Sequence, residues 1–182
     1  MATSFKQIEE NLKTEAGKLL EAGKVSMVLA YGRGYDEKHP LPYVARSLAD
    51  VDGMVFNEYC TANLARYLVR YPRGTKIGIA AKAADSRAVI QLIQEDKVKR
   101  DDLVILGIPV YGMKNAKTDE AIDAKTTCGL YNPVIYDVLL GEEVHGQPVL
   151  SPYEVLEKVE AMGQDERRSE EHTSELQSRQ SI

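Results

Sequence analysis

The sequence predicts an α/β fold with a mostly parallel central sheet, flanked by helices in three layers. Three observations carry this reading. Ile77–Ala81 and residues 101–108 (DDLVILGI) are short apolar runs without alternation, as expected of strands covered on both faces. Between them Val89, Leu92 and Ile93 recur at helical spacing, which makes a strand–helix–strand unit of about thirty residues with an expected right-handed crossover. A third apolar run, residues 25–31 (VSMVLAY), follows an amphipathic segment. The chain has 182 residues, 43% of them hydrophobic, enough to bury one core.

The elements follow in order. Ser4-Phe5-Lys6-Gln7 has the S-x-x-Q form of a capping box, and Phe5, Ile8, Leu12, Leu19 and Leu20 follow at helical spacing up to Gly23. The strand at 25–31 runs into Gly32-Arg33-Gly34, then a polar loop with His39 and a Pro40-Leu41-Pro42 turn. Residues 48–56 are ambiguous, with a short strand around 54–56 as one reading. Asn57 is a good cap for a helix reaching Arg70, its Leu64, Tyr67 and Leu68 turned inward. Strand 77–81 leads into a turn carrying Asp85, Ser86 and Arg87, where Ser86 or Asp85 can cap the next helix. Residues 118–124 read as a short helix. Residues 133–140 read as helix or strand, with Pro133 favouring helix as a first helical residue. Ser151-Pro152-Tyr153-Glu154 is a helix start, the helix reaching about Met162.

The formal charge of -5 argues against a nucleic-acid partner, because phosphate neutralisation needs a basic face. The basic run 97–100 (KVKR) is followed at once by Asp101 and Asp102 and reads as a solvated helix end. No apolar run approaches the roughly 20 residues of a membrane helix, and the N-terminus lacks the layout of a signal peptide. No membrane insertion and a cytoplasmic home are therefore expected. Cys60 and Cys128 are too few for a disulfide framework or a self-contained metal site, so no metal ligands are assigned.

The motifs point to one place. Gly32-Arg33-Gly34 lacks the third glycine and the following helix of a dinucleotide fingerprint and reads as a tight turn. His39 and His145 have no partner at nucleophile–base spacing and read as exposed loop histidines. No catalytic residue is assigned. Asp85-Ser86-Arg87 differs, because it sits at the carboxyl end of a central strand, where open α/β sheets bind ligands. A helix start there offers N–H groups to a phosphate or another anionic group, with Arg87 close by. The competing reading has Asp85 cap the helix and pair with Arg87. Residues 107–113, at the end of the next strand, are expected beside it, the two ends forming one cleft.

Residues 76–88 (KIGIAAKAADSRA), 100–113 (RDDLVILGIPVYGM) and 132–142 (NPVIYDVLLGE) resemble iron–sulfur oxidoreductase subunits of anaerobes. These are related to the coenzyme F420 hydrogenase/dehydrogenase beta subunit and described as 4Fe-4S ferredoxin-like. Residues 57–68 (NEYCTANLARYL) fit the same pattern. The resemblance implies electron transfer between a flavin or deazaflavin, clusters and other redox subunits of a complex. Lys82, Ser86 and Arg87 would contact a cofactor or substrate anion, and Asp85 would orient Arg87 or cap the helix. The family's cysteines are replaced by Ala84 and Val110, and of a pair before residue 132 only Cys128 remains. Cluster iron is held by thiolates, commonly four, so the resemblance implies a cluster-free copy of this domain. The alternative is a non-catalytic subunit that docks partners in a hydrogenase or heterodisulfide-reductase-type complex.

From Arg168 the composition changes. Residues 168–178 (RSEEHTSELQS) resemble the translation of a short-read sequencing adapter, so 168–182 are set aside as a non-native tail, His172 with them. Residues 1–167 are expected to form one α/β domain, the N-terminal part of a longer protein with any 4Fe-4S cluster in its later half.

Overall fold

The computed structural model describes residues 3–123 and 129–145. The expected helix from Ser151, Cys128 and the 168–182 tail lie outside the described residues. In chain order the elements are α1 (Phe5–Glu21), β1 (Met27–Gly32), β2 (Leu41–Ala45), α2 (Leu48–Val51), β3 (Ile77–Ala81) and α3 (Ala83–Gln94). They are followed by β4 (Leu103–Gly107), β5 (Gly112–Lys114), β6 (Ala121–Asp123) and β7 (Val138–Leu139). Five strands form one sheet in the order β2-β1-β3-β4-β7, and β5 pairs with β6 in a separate hairpin. Only β2 runs antiparallel to its neighbour in the main sheet. The predicted α/β class with a mostly parallel sheet is the observed one.

The cap read from Ser4 forms: its hydroxyl accepts from the Gln7 amide at 3.2 Å. One face of α1 buries Ile8, Leu12, Ala16 and Leu19. The helix then closes with paired bonds, Gly23 N–H to Leu20 carbonyl and Lys24 N–H to Leu19 carbonyl. That closure needs the left-handed φ of +63° at Gly23, which glycine adopts without steric cost. Every residue of β3 is buried, and α1 and α3 both pack against it. Its register pairs Ile77 with Met27 on one side and Ile79 with Ile105 on the other, placing the carboxyl ends of β1, β3 and β4 along one edge.

Five local expectations are corrected. The loop expected around Pro40-Leu41-Pro42 becomes strand β2, whose Pro42 lies opposite Tyr31. Proline is tolerated there because β2 is an edge strand and no further ladder needs its missing N–H. The helix expected from Asn57 to Arg70 shrinks to a 3₁₀ segment, Ala65–Arg70. Asn57 instead turns the chain by accepting the Tyr59 amide at 3.0 Å, and the Leu64 amide is taken by Asp85. Of the helix expected over 118–124, the described residues 118–123 are not helical: Asp119 takes a φ of +61° and Ala121–Asp123 pairs with β5. Residues 133–140 are not helical: they form bends with a strand at Val138–Leu139 alone, because Ile105 and Asp137 exchange bonds that draw those two residues alongside β4. Finally, α3 begins at Ala83, so Asp85, Ser86 and Arg87 occupy its first turns rather than a preceding turn. Between residues 48 and 56 the chain forms the short α2 and then a single bridge from Met54 to Gly32.

Candidate functional site at the carboxyl edge of the sheet

Lys82 leaves the end of β3 and caps α3, and Asp85 stands at the third helical position. The Asp85 carboxylate accepts from the Lys82 amide at 3.0 Å and from the Leu64 amide at 3.1 Å, and pairs with the Lys82 ammonium at 3.0 Å. Lys82 Nζ also donates to the Tyr31 hydroxyl and to the Ala62 carbonyl, while Tyr31 donates to the same carbonyl at 2.5 Å. Lys82 is 7% exposed and Asp85 and Ser86 are fully buried. Three donors of the ammonium thus meet three acceptors, and among the described residues no buried side-chain nitrogen or oxygen lacks a partner. Burial pushes the Tyr31 phenol well above its ordinary pKa, with the Asp85 charge adding to the shift.

Asp85 holds the helix start from within the fold. Its carboxylate caps α3 from inside the protein and pulls the 62–64 segment over the ends of β1 and β3. Ser86 is equally committed: it donates to the Ala83 carbonyl at 2.8 Å and accepts from the Val134 amide at 2.9 Å. Lys82, Asp85 and Ser86 are brought together as expected, but facing inward. Arg87 is the exposed member of the four.

The segments after β3 and β4 converge. Ile108 N–H reaches the Ala81 carbonyl, Val110 N–H the Tyr131 carbonyl, and Leu140 N–H the Gly107 carbonyl, all within 3.1 Å. Ala84 and Val110 therefore stand on neighbouring segments of one edge. Neither side chain has an atom that can bind iron, and among the described residues no three His, Cys, Asp or Glu side chains gather to hold a metal. Cys60 lies fully buried on another segment, its thiol raised to about 12 by burial. A thiolate-held cluster does not fit the described donor set.

Two of the clefts among the described residues lie along this edge. One, of about 560 Å³, lies beyond β1 between Glu9, Arg33, Gly34, Asp36, Glu37 and Asn57. His39, beside it, stacks on Tyr35 and bonds Asp36, as an ordinary loop histidine would. The other, of about 360 Å³, lies beyond β4 among Phe5, Tyr111, Met113, Ile122 and Tyr131, with Glu58 and Lys114 at its side. Sequence reasoning placed a cleft at residues 107–113 but paired it with the first turn of α3. The partners are instead the β5–β6 hairpin and α1, which no periodicity linked to this strand end.

No protein-family model matches the chain. It is 26% identical over 101 residues to the F420-dependent formate dehydrogenase 1 subunit beta of Methanococcus maripaludis, a stretch covering 55% of this chain and 26% of that protein. It is also similar in fold to a chain in the structure of the F420-reducing NiFe hydrogenase complex from Methanosarcina barkeri, with a TM-score of 0.51 and 17% identity. That match covers 63% of this chain and 44% of the other. The matched part of this chain thus spans about a quarter of the first protein's length and less than half of the second's. Among the described residues no helix is long and apolar enough to cross a membrane. The chain is distantly similar in sequence to a subunit of an F420-dependent enzyme and shares its α/β fold with a chain of an F420-reducing complex.

Proposed function

We propose that this chain is a domain of an electron-transfer subunit in a redox complex, one that binds a deazaflavin or flavin and has lost the cluster ligands of its relatives. The observation that carries this is the sequence match to the formate dehydrogenase beta subunit. The donor set supports the cluster-free part, since Ala84 and Val110 offer no ligand. In this reading Arg87, exposed in the first turns of α3, contacts the anionic group of the cofactor. Lys82, Asp85 and Ser86 act behind it, holding the helix start and the strand ends in place. When bound, the cofactor supplies hydride or electron chemistry, and this chain supplies only its seat. Any 4Fe-4S cluster belongs to other parts of the complex, as do the partner redox subunits.

Anaerobic titration with coenzyme F420 and with FMN, followed by fluorescence, tests the reading. Saturable binding is expected, weakened about tenfold or more in Arg87→Ala, the loss of one charge-assisted hydrogen bond. Unchanged affinity would remove Arg87 from the site. No binding of either compound would leave the second reading, a docking subunit without a cofactor. The specific observation behind that alternative is the inward commitment of Lys82, Asp85 and Ser86, which suits a scaffold as well as a binding site.

A further inference from the structure

We infer that the cleft beyond β4 seats a planar heteroaromatic ring that has one polar edge. Its volume, about 360 Å³, lies within the range of small-molecule sites. The walls are predominantly apolar and aromatic, from Phe5, Tyr111, Met113, Ile122 and Tyr131. Tyr111 is half exposed at the mouth and meets Tyr131 edge-on, ring centroids 5.1 Å apart and planes at 61°. That edge-to-face contact leaves aromatic surface available for a second ring to stack on.

The polar side of the cleft is as informative. It carries one anion and one cation, Glu58 and Lys114, joined by a long 3.4 Å contact with both side chains partly exposed. Their backbones are fixed to each other, the Lys114 amide donating to the Glu58 carbonyl at 2.6 Å. A donor and an acceptor are therefore held side by side at the rim of an apolar slot. A ligand with two apolar faces and an edge alternating carbonyl and N–H groups answers both requirements, the Lys114 ammonium donating to a carbonyl and the Glu58 carboxylate accepting from an N–H. The pyrimidine-dione edge of a flavin or deazaflavin has this pattern. The naming of the ring, though not the cleft's preference for one, rests on the proposed cofactor function.

One wall of the cleft continues along the chain towards α3, which itself lines no part of it. Tyr131, in its wall, is three residues from Val134, whose amide is bonded to Ser86. Three residues of chain span at most roughly 10 Å, so the wall of the cleft and the start of α3 are neighbours along this edge.

Lumichrome, the flavin ring without its side chain, is the probe, read by fluorescence quenching on the full chain. Saturable binding is expected, weakened about tenfold in Tyr111→Ala and retained in Tyr111→Phe, because stacking and not the hydroxyl is lost. Lys114→Met should weaken lumichrome as well. Circular dichroism confirms that each variant folds; Tyr111 and Lys114 are exposed enough for substitution to leave the core intact. Absence of saturable lumichrome binding, or equal binding by wild type and Tyr111→Ala, would overturn the site. FMN binding that depends on Arg87 but ignores Tyr111 would overturn the site while sparing the cofactor function. Lumichrome bound through Tyr111 while FMN and coenzyme F420 are not would support the site and overturn that function.

Discussion

Asp85→Ala and Lys82→Met remove opposite halves of one buried ion pair, yet the structure predicts unequal costs. Deleting the carboxylate strands the Lys82 ammonium, 7% exposed, with two neutral acceptors and no counter-charge. It also orphans the amides of Lys82 and Leu64, both buried donors that now meet Asp85 oxygens. Breaking a buried pair from one side typically costs about 3–5 kcal/mol, and Asp85→Ala is expected at the upper end of that range. Deleting the ammonium is milder. The Asp85 carboxylate keeps two amide donors at 3.0 and 3.1 Å and the positive end of α3, and Tyr31 keeps its bond to the Ala62 carbonyl. A loss of about 1–3 kcal/mol is expected for Lys82→Met. Urea denaturation at neutral pH measures both, with unchanged m-values confirming that the folded and unfolded ensembles are comparable. Lys82→Met costing as much as Asp85→Ala, or Asp85→Ala costing under about 1 kcal/mol, would refute the view that the carboxylate organises this edge.

Further outcomes follow from the same geometry. Because Cys60 holds its proton to about pH 12 when folded and to an ordinary 9.0 otherwise, stability should be intact below pH 9 and fall as pH rises towards 12. Cys60→Ala should flatten that alkaline slope, and in a Cys128→Ser background the native Cys60 should resist a disulfide reagent that modifies it readily in urea. Tyr31 pushes in the same direction, since its phenol also stays protonated more firmly in the fold. Ser86→Ala removes the acceptor of the Val134 amide, so a loss of about 1 kcal/mol and faster exchange of that amide are expected. An unchanged exchange rate at Val134 would show that Ser86 does not hold the 131–134 segment.

Much of the framework could be read from local chemistry. The Ser4 cap, the stripe of α1, the glycine closure at Gly23 and the apolar runs of β3 and β4 all depend on residues within a few positions of one another. The helix caps are satisfied within their own element, and the apolar runs declare two-sided burial by composition, so both are legible without knowing their partners. Of the blocks that carry the resemblance to redox subunits, residues 76–88 and 100–113, which hold β3, the start of α3 and β4, fall in this class, whereas 57–68 and 132–142 do not.

The rest was decided at a distance. Asn57 and Leu64 looked helical by spacing, but the Leu64 amide was claimed by a carboxylate 21 residues on. Pro42 looked like a turn residue until β1 offered an edge that needs no proline N–H. Val138–Leu139 became a strand because Asp137 and Ile105 exchange bonds across 32 residues. The candidate site shows the same division. From the sequence alone, Lys82, Asp85, Ser86 and Arg87 are polar groups at a strand end, which is where they stand. Which of them faces water was set by what folds over them: Ala62 and Leu64 above Lys82 and Asp85, Val134 against Ser86. Sequence fixes which groups can bond; only the folded chain fixes whether their partners are already present, and that leaves Arg87 at the surface and Tyr111 at the mouth of a cleft.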